Sequence, residues 1–151
     1  MLKLSKKADY GLIAMKHLAE NARRGACSAK DVAEAFGIPA ELMAKILQRL
    51  AKSGLLHSQH GTNGGYTLAR DAGRITAYDV IRAVDGPVLI TSCVTVRGEC
   101  GQTEHCNIRE PLRRVNDSIE EVLRSITIAE MKDETPEGHG PAAAEELVTI
   151  T

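Results

Sequence analysis

Two short helical patterns joined by Gly37-Ile38-Pro39 constrain this chain more than any other feature. Glycine accepts the left-handed conformation that stops one helix, and proline presets φ for the first turn of the next. Upstream, Ser28-x-x-Asp31 has the form of a capping box and opens a helix with Val32, Ala33 and Phe36 turned inward. Downstream, the pattern predicts a helix from Ala40 to Ser53 that buries Leu42, Met43, Ile46, Leu47 and Leu50. Glu41, Lys45, Gln48 and Lys52 then form a polar stripe at steps of four, three and four. Helix, glycine-containing turn, helix is the helix-turn-helix arrangement, whose second helix enters the major groove. Taken alone, the same pattern fits an ordinary helical hairpin.

The continuation favours DNA. Gly54 stops the helix, and Leu55-Leu56-His57-Ser58 and Tyr66-Thr67-Leu68 read as two short strands. Gln59-His60-Gly61-Thr62-Asn63-Gly64-Gly65 lies between them as a hairpin tip, the form of a wing. Its three glycines let backbone approach a phosphate or the minor-groove floor without a side-chain clash. Candidate DNA contacts are Ser28, Ala40, Glu41, Ala44, Lys45, Gln48, Arg49, Lys52, His60, Gly61, Thr62, Asn63, Gly64 and Gly65. Lys45 and Gln48 suit guanine and adenine edges; Arg49 and Lys52 suit phosphate. Before this unit, Ser5 caps a first helix with Ala8, Leu12, Met15 and Ala19 on its apolar face, ended by Arg23-Arg24-Gly25. After it, Thr76-x-x-Asp79 caps another helix with Val80, Ile81 and Val84 apolar, closed by Gly86-Pro87.

Charge is segregated along the chain. Residues 1–74 hold 12 Lys and Arg against 6 Asp and Glu, a net of +6, and residues 75–151 hold 7 against 14, a net of −7. The basic first part suits phosphate contact and the acidic second part does not. Aromatics are scarce, with Tyr10, Phe36, Tyr66, Tyr78 and no Trp, so burial against a second subunit would enlarge a modest aliphatic core.

Cys93, Cys100 and Cys106 follow in a Gly-rich, polar stretch as Cys-x6-Cys-x5-Cys. The spacing is too wide for paired zinc knuckles, and three thiolates are one ligand short of a closed tetrahedral zinc site. An iron–sulfur cluster is the leading reading, and thiol switching without metal is the alternative. Next, Ile108, Leu112, Val115, Ile119, Val122 and Ile126 recur at four, three, four, three and four, the seam of paired helices. Pro111 is tolerated only in a first turn, which places the start of this helix near Glu110. Leu112, Val115, Ile119, Val122 and Ile126 are the expected dimerisation residues; packing on the helix's own domain is the simpler alternative. Thr127-x-x-Glu130 caps a short helix to Met131, and the acidic remainder reads as disordered.

Neither a secretory h-region after Lys3, Lys6 and Lys7 nor a membrane-length apolar run stands out, so a cytoplasmic protein is expected. No Ser-His-Asp arrangement, phosphate loop or paired carboxylates point to an enzyme or a small-molecule substrate. The expected fold is mainly α with a small β-wing: a winged helix-turn-helix over 1–86, a cysteine loop over 87–109, dimerisation and terminal helices over 110–131, and a tail over 132–151.

These residues together resemble the winged-helix iron–sulfur transcription regulators typified by IscR and NsrR, over residues 1–131. The resemblance rests on Leu4-Ser5-Lys6 with Asp9-Tyr10, Gly54-Leu55, Gly61 to Tyr66, Leu68-Ala69-Arg70, Ile75, Asp79-Val80-Ile81, the cysteines and Ile126 to Met131. Gly86-Pro87 and Cys106-Asn107-Ile108-Arg109 are similar to members that regulate SUF cluster assembly. It implies a homodimer on a pseudo-palindromic DNA operator, carrying a 2Fe–2S or 4Fe–4S cluster and repressing iron–sulfur assembly genes. Nitric-oxide sensing through the same site, and a cluster carrier using the winged helix for protein binding, are the alternatives. Two positions depart from IscR. Arg109 stands where IscR has a ligating His and has no lone pair to give. NsrR-like members use an Asp from the other subunit, which Asp9 matches; His105, Cys27 and an exogenous ligand are the other candidates for the fourth donor. His60 replaces a basic Arg at the wing, which weakens minor-groove attraction and implies a different operator.

Overall fold

Local capping chemistry sets the register of the first helices. The Ser5 hydroxyl accepts from the Ala8 amide at 3.0 Å and opens α1, Lys6–Glu20. The Ser28–Asp31 box is closed in both directions, at 3.1 and 3.2 Å, and opens α2, Ala29–Phe36. Gly37 takes φ 64 and ψ 33, the left-handed geometry that its sequence position requires. Pro39 then caps α3, Ala40–Lys52. In this computed structural model the described residues are 4–62, 64–88 and 109–133. The chain continues through β1, Leu56–Gln59, β2, Gly65–Leu68, α4, Ala77–Asp85, α5, Arg109–Ser125, and α6, Ile128–Asp133. Short 3-10 turns occupy Ala22–Arg24 and Ala72–Arg74.

The core gathers where α1, α3 and α4 meet. Met15, Met43, Ile46, Leu47, Leu50 and Val80 are fully buried there. Gly11 permits the close approach of α1 to α4, because a Cβ would lie 3.1 Å from a Val84 methyl and 3.4 Å from one of Val80. The apolar faces expected for α1, α3 and α4 are the faces buried.

Two expectations need correction. Phe36 is not inward: it is 45% exposed at the last position of α2, with its ring edge-on to His17 at 5.3 Å. An eight-residue helix that ends at Gly37 has no further turn to carry that ring over the core. α1 ends at Glu20 rather than at Arg23-Arg24-Gly25, because the Asn21 side-chain amide donates to the His17 carbonyl at 2.8 Å and closes the last turn.

β1 and β2 pair antiparallel from Leu56 opposite Leu68 to Gln59 opposite Gly65. Cys27 adds a bridge to their outer edge: its N–H donates to the Tyr66 carbonyl at 3.2 Å, and the Tyr66 N–H donates to its carbonyl at 2.8 Å. The far end of α5 is tied back by backbone bonds. Ala77 N–H donates to the Ile126 carbonyl and Ile128 N–H to the Ile75 carbonyl, both at 2.8 Å, and buried Ile128 starts α6 under α1. No helix among the described residues is long and apolar enough to cross a membrane.

Candidate nucleic-acid interface and cysteine segment

The outward face of α3 carries Glu41, Lys45, Gln48, Arg49 and Lys52, all exposed, with Ala44 half-buried between them. Lys45, Gln48, Arg49 and Lys52 line an open recess of about 250 Å³. Among the described residues Lys45 and Lys52 form no ion pair, so both ammonium groups face solvent uncommitted. Arg49 differs. Its Nη1–H donates to the Val84 carbonyl at 2.8 Å, which commits part of the guanidinium to the end of α4 rather than leaving all of it for phosphate.

Ser28 stands at the start of α2, where backbone N–H groups and the helix dipole favour an anion. Its hydroxyl oxygen accepts from Asp31 N–H, which leaves the hydroxyl proton to donate outward. The hydrogen bonds from Ser28 hold the Asp31 carboxyl below its ordinary range.

In the wing, His60, Gly61 and Thr62 are exposed, whereas Asn63 lies outside the described residues. The glycines also divide by what their own surroundings require. A Cβ on Gly65 would meet the Cys27 carbonyl oxygen at 2.4 Å, and one on Gly64 the Gln59 carbonyl oxygen at 2.6 Å. The wing's own packing requires these two. Gly61, at φ 113 with open space around it, faces no such contact. Cys27, an unremarkable small residue in the sequence, supplies the backbone edge that Gly65 lies against. Burial and then Asp31 push its thiol up, which makes it a poor nucleophile.

Cys93, Cys100 and Cys106, with Ile108 of the seam and the acidic tail from residue 134, lie outside the described residues. The segment that holds the cysteines leaves α4 at Gly86, which takes φ 84 and donates to the Arg82 carbonyl at 2.9 Å. Just before it, Asp85 accepts from the Ser5 hydroxyl at 2.6 Å, joining the start of α1 to the end of α4. Asp9 lies in the first turn of α1 and is exposed. Among the described residues no three His, Cys, Asp or Glu gather into a metal site. Three thiolates with one further oxygen or nitrogen donor fit an iron–sulfur cluster chemically.

On α5 the seam is open. Val115 is 46% and Val122 59% exposed, and both line an apolar groove of about 430 Å³ with Arg114, Ser118, Ile119 and Leu123. Another side of the helix faces α4. There Asn116 is buried, its amide donates to Glu120 at 3.3 Å, and the Arg124 guanidinium lies 4.3 Å over the Tyr78 ring. Ile126, the last expected seam residue, falls one position beyond α5, in the extended step to α6.

A helix-turn-helix with a polar reading face, a glycine-tipped wing and a long amphipathic helix defines a winged-helix DNA-binding regulator. Comparison with known proteins agrees. The chain belongs to the Rrf2 family, described as iron-dependent transcriptional regulators, whose model matches residues 4–134. It is 30% identical to the HTH-type transcriptional regulator IscR of Cronobacter sakazakii, over 99% of this chain and 98% of that protein. It is 34% identical to the Enterobacter IscR, over 86% and 79%. Among solved structures, T. potens IscR matches with a TM-score of 0.72 and 32% identity, covering 94% of this chain and 96% of that one. CymR, the global cysteine regulator of B. subtilis, also gives 0.72, with 33% identity over 90% and 100%. The chain is thus an IscR-like transcriptional regulator that binds DNA, and it is not an enzyme.

Proposed function

We propose that the protein is a homodimeric repressor that senses an iron–sulfur cluster and controls genes of cluster assembly. The observation that carries this reading is the open apolar seam of α5, directly after the segment bearing three cysteines. Covering that seam with its symmetry mate places two reading helices on successive major grooves of a pseudo-palindromic operator. Cys93, Cys100 and Cys106 hold the cluster, with Asp9 of the other subunit as fourth donor. A bound cluster would cross-link these thiolates. A coupling of about 1–3 kcal/mol between cluster and operator suffices for a roughly five- to 150-fold change in affinity.

The test is anaerobic purification, followed by absorption spectroscopy, iron and sulfide analysis, and operator titration. The expected material is coloured and contains iron and sulfide, and Cys100→Ala gives a folded dimer without the visible bands. Colourless, iron-poor protein that binds its operator fully would overturn the reading. The likeness to S. aureus CymR, solved in an oxidized form at 27% identity, favours one rival, in which the cysteines act as a thiol switch without metal. That rival expects operator affinity to follow peroxide and dithiothreitol in iron-free protein.

A further inference from the structure

Arg49 belongs to the reading face of α3 yet is hydrogen-bonded to a different helix. Its Nη1–H donates to the Val84 carbonyl at 2.8 Å, in the last turn of α4. Carbonyls at a helix C-terminus lack intrahelical donors and carry negative partial charge, so a guanidinium is a well-matched partner. The same turn is gripped from a second side by α1: the Ser5 hydroxyl holds Asp85 at 2.6 Å, and Gly11 lets the Val84 methyl sit where a Cβ would crowd it at 3.1 Å. The next residue, Gly86, takes a positive φ of 84 and begins the segment that bears the cysteines. Arg49 stands one helical turn beyond Lys45 and beside Gln48, the two residues suited to base edges. A shift of the α4 terminus therefore pulls directly on the reading helix.

We infer that Arg49 is a positioning residue: its bond to Val84 ties the seating of the reading helix to the root of the cysteine segment. Operator affinity follows the state of that segment through this bond. The inference rests on the segment governing DNA binding, as proposed above. Its competitor is a direct Arg49–phosphate contact, and the two differ in salt dependence. A lost phosphate contact lowers the slope of log affinity against log salt by about 0.9, whereas a lost positioning bond leaves it in place.

The experiment uses the full chain and a duplex selected by the wild-type protein from a random pool. Wild type, Arg49→Met and Gly86→Ala are each titrated in cluster-loaded form and in a Cys100→Ala background, across a salt series. Gly86→Ala disturbs the α4 terminus, because alanine disfavours φ 84, while leaving the Arg49 side chain intact. In wild type the two backgrounds differ in affinity by roughly five- to 150-fold. In both variants that ratio collapses towards unity with the salt slope kept. Amide exchange gives a readout independent of the cluster: operator binding slows exchange across 82–86 in the Cys100→Ala chain, and Arg49→Met abolishes that slowing. If Arg49→Met keeps the full ratio, the coupling is overturned, and a slope lower by about 0.9 makes Arg49 a phosphate ligand. If wild type itself shows no ratio, the functional reading falls with it. Melting curves confirm folding, and Arg49→Lys, which keeps the charge with a shorter reach, replaces Arg49→Met should the latter unfold.

Discussion

Gly65→Ala should open the wing, at a cost that follows from the packing around it. The added methyl would sit 2.4 Å from the Cys27 carbonyl oxygen, 2.5 Å from its carbon and 2.8 Å from the Ser28 nitrogen. All three are backbone atoms, so no rotamer change relieves the overlap, and β2 must part from the Cys27 edge. Parting loses the two Cys27–Tyr66 bonds, at 3.2 and 2.8 Å. Each is worth about 0.5–1.5 kcal/mol net. Holding alanine at φ 151 instead costs roughly 1–3 kcal/mol. Strain and lost bonds are alternatives in part, so the expected loss is about 2–4 kcal/mol, a large share of a total of roughly 5–15. At roughly 4 °C per kcal/mol the melting temperature falls by about 8–16 °C. Gly61→Ala is the control: with open space around φ 113 it pays a backbone cost alone, about 1 kcal/mol. Circular-dichroism melts and amide exchange at Cys27 and Tyr66 check both. The reasoning is refuted if Gly65→Ala melts no lower than Gly61→Ala while those two amides stay protected.

On α5, Val115→Glu with Val122→Glu should give a folded monomer by sedimentation, since each buried valine is worth about 1.5–3 kcal/mol and a two-fold axis counts it twice. An unchanged dimer mass would show that the seam covers nothing. Asp31 sets a pH dependence. Its carboxyl titrates below the ordinary 3.8 in the folded chain, so its contribution is present above that value and is lost as pH falls through the lowered one. The wild-type melting temperature should therefore drop more steeply than that of Asp31→Asn as pH falls below about 3.8, and parallel curves would refute the capping account.

The helices were legible because short-range rules decide them. Ser5, Ser28 and Thr76 cap the amide three residues ahead, and Gly37 takes the left-handed geometry that ends α2. The buried faces of α3 and α4 follow from period alone. What periodicity could not give was contact between segments distant in sequence. Cys27 and Gly65 are 38 positions apart, and nothing near either announces that their backbones touch. Arg49 and Val84 are separated by 35, and no local pattern shows that a residue suited to phosphate also donates to a helix end. Phe36 failed for a related reason, because hydrophobicity predicts burial only when the helix continues far enough to bring the ring over the core.

Long-range ties hold the chain on both sides of the cysteines. On one side, the end of α4 is held by Arg49 of α3 and Ser5 of α1. On the other, α5 begins at Arg109, buries Asn116 on the side that faces α4, and is tied at its far end through Tyr78 and Arg124, Ala77 and Ile126, and Ile75 and Ile128. On the proposed reading, the segment bearing the cysteines acts both on the end of α4 that holds Arg49 and on the start of the helix with the open seam. A change there has two routes to DNA, one through the pitch of a single reading head and one through the spacing between two. Substituting Arg49 severs only the first, so a residual effect of cluster loss on operators of altered half-site spacing, in Arg49→Met, measures the second.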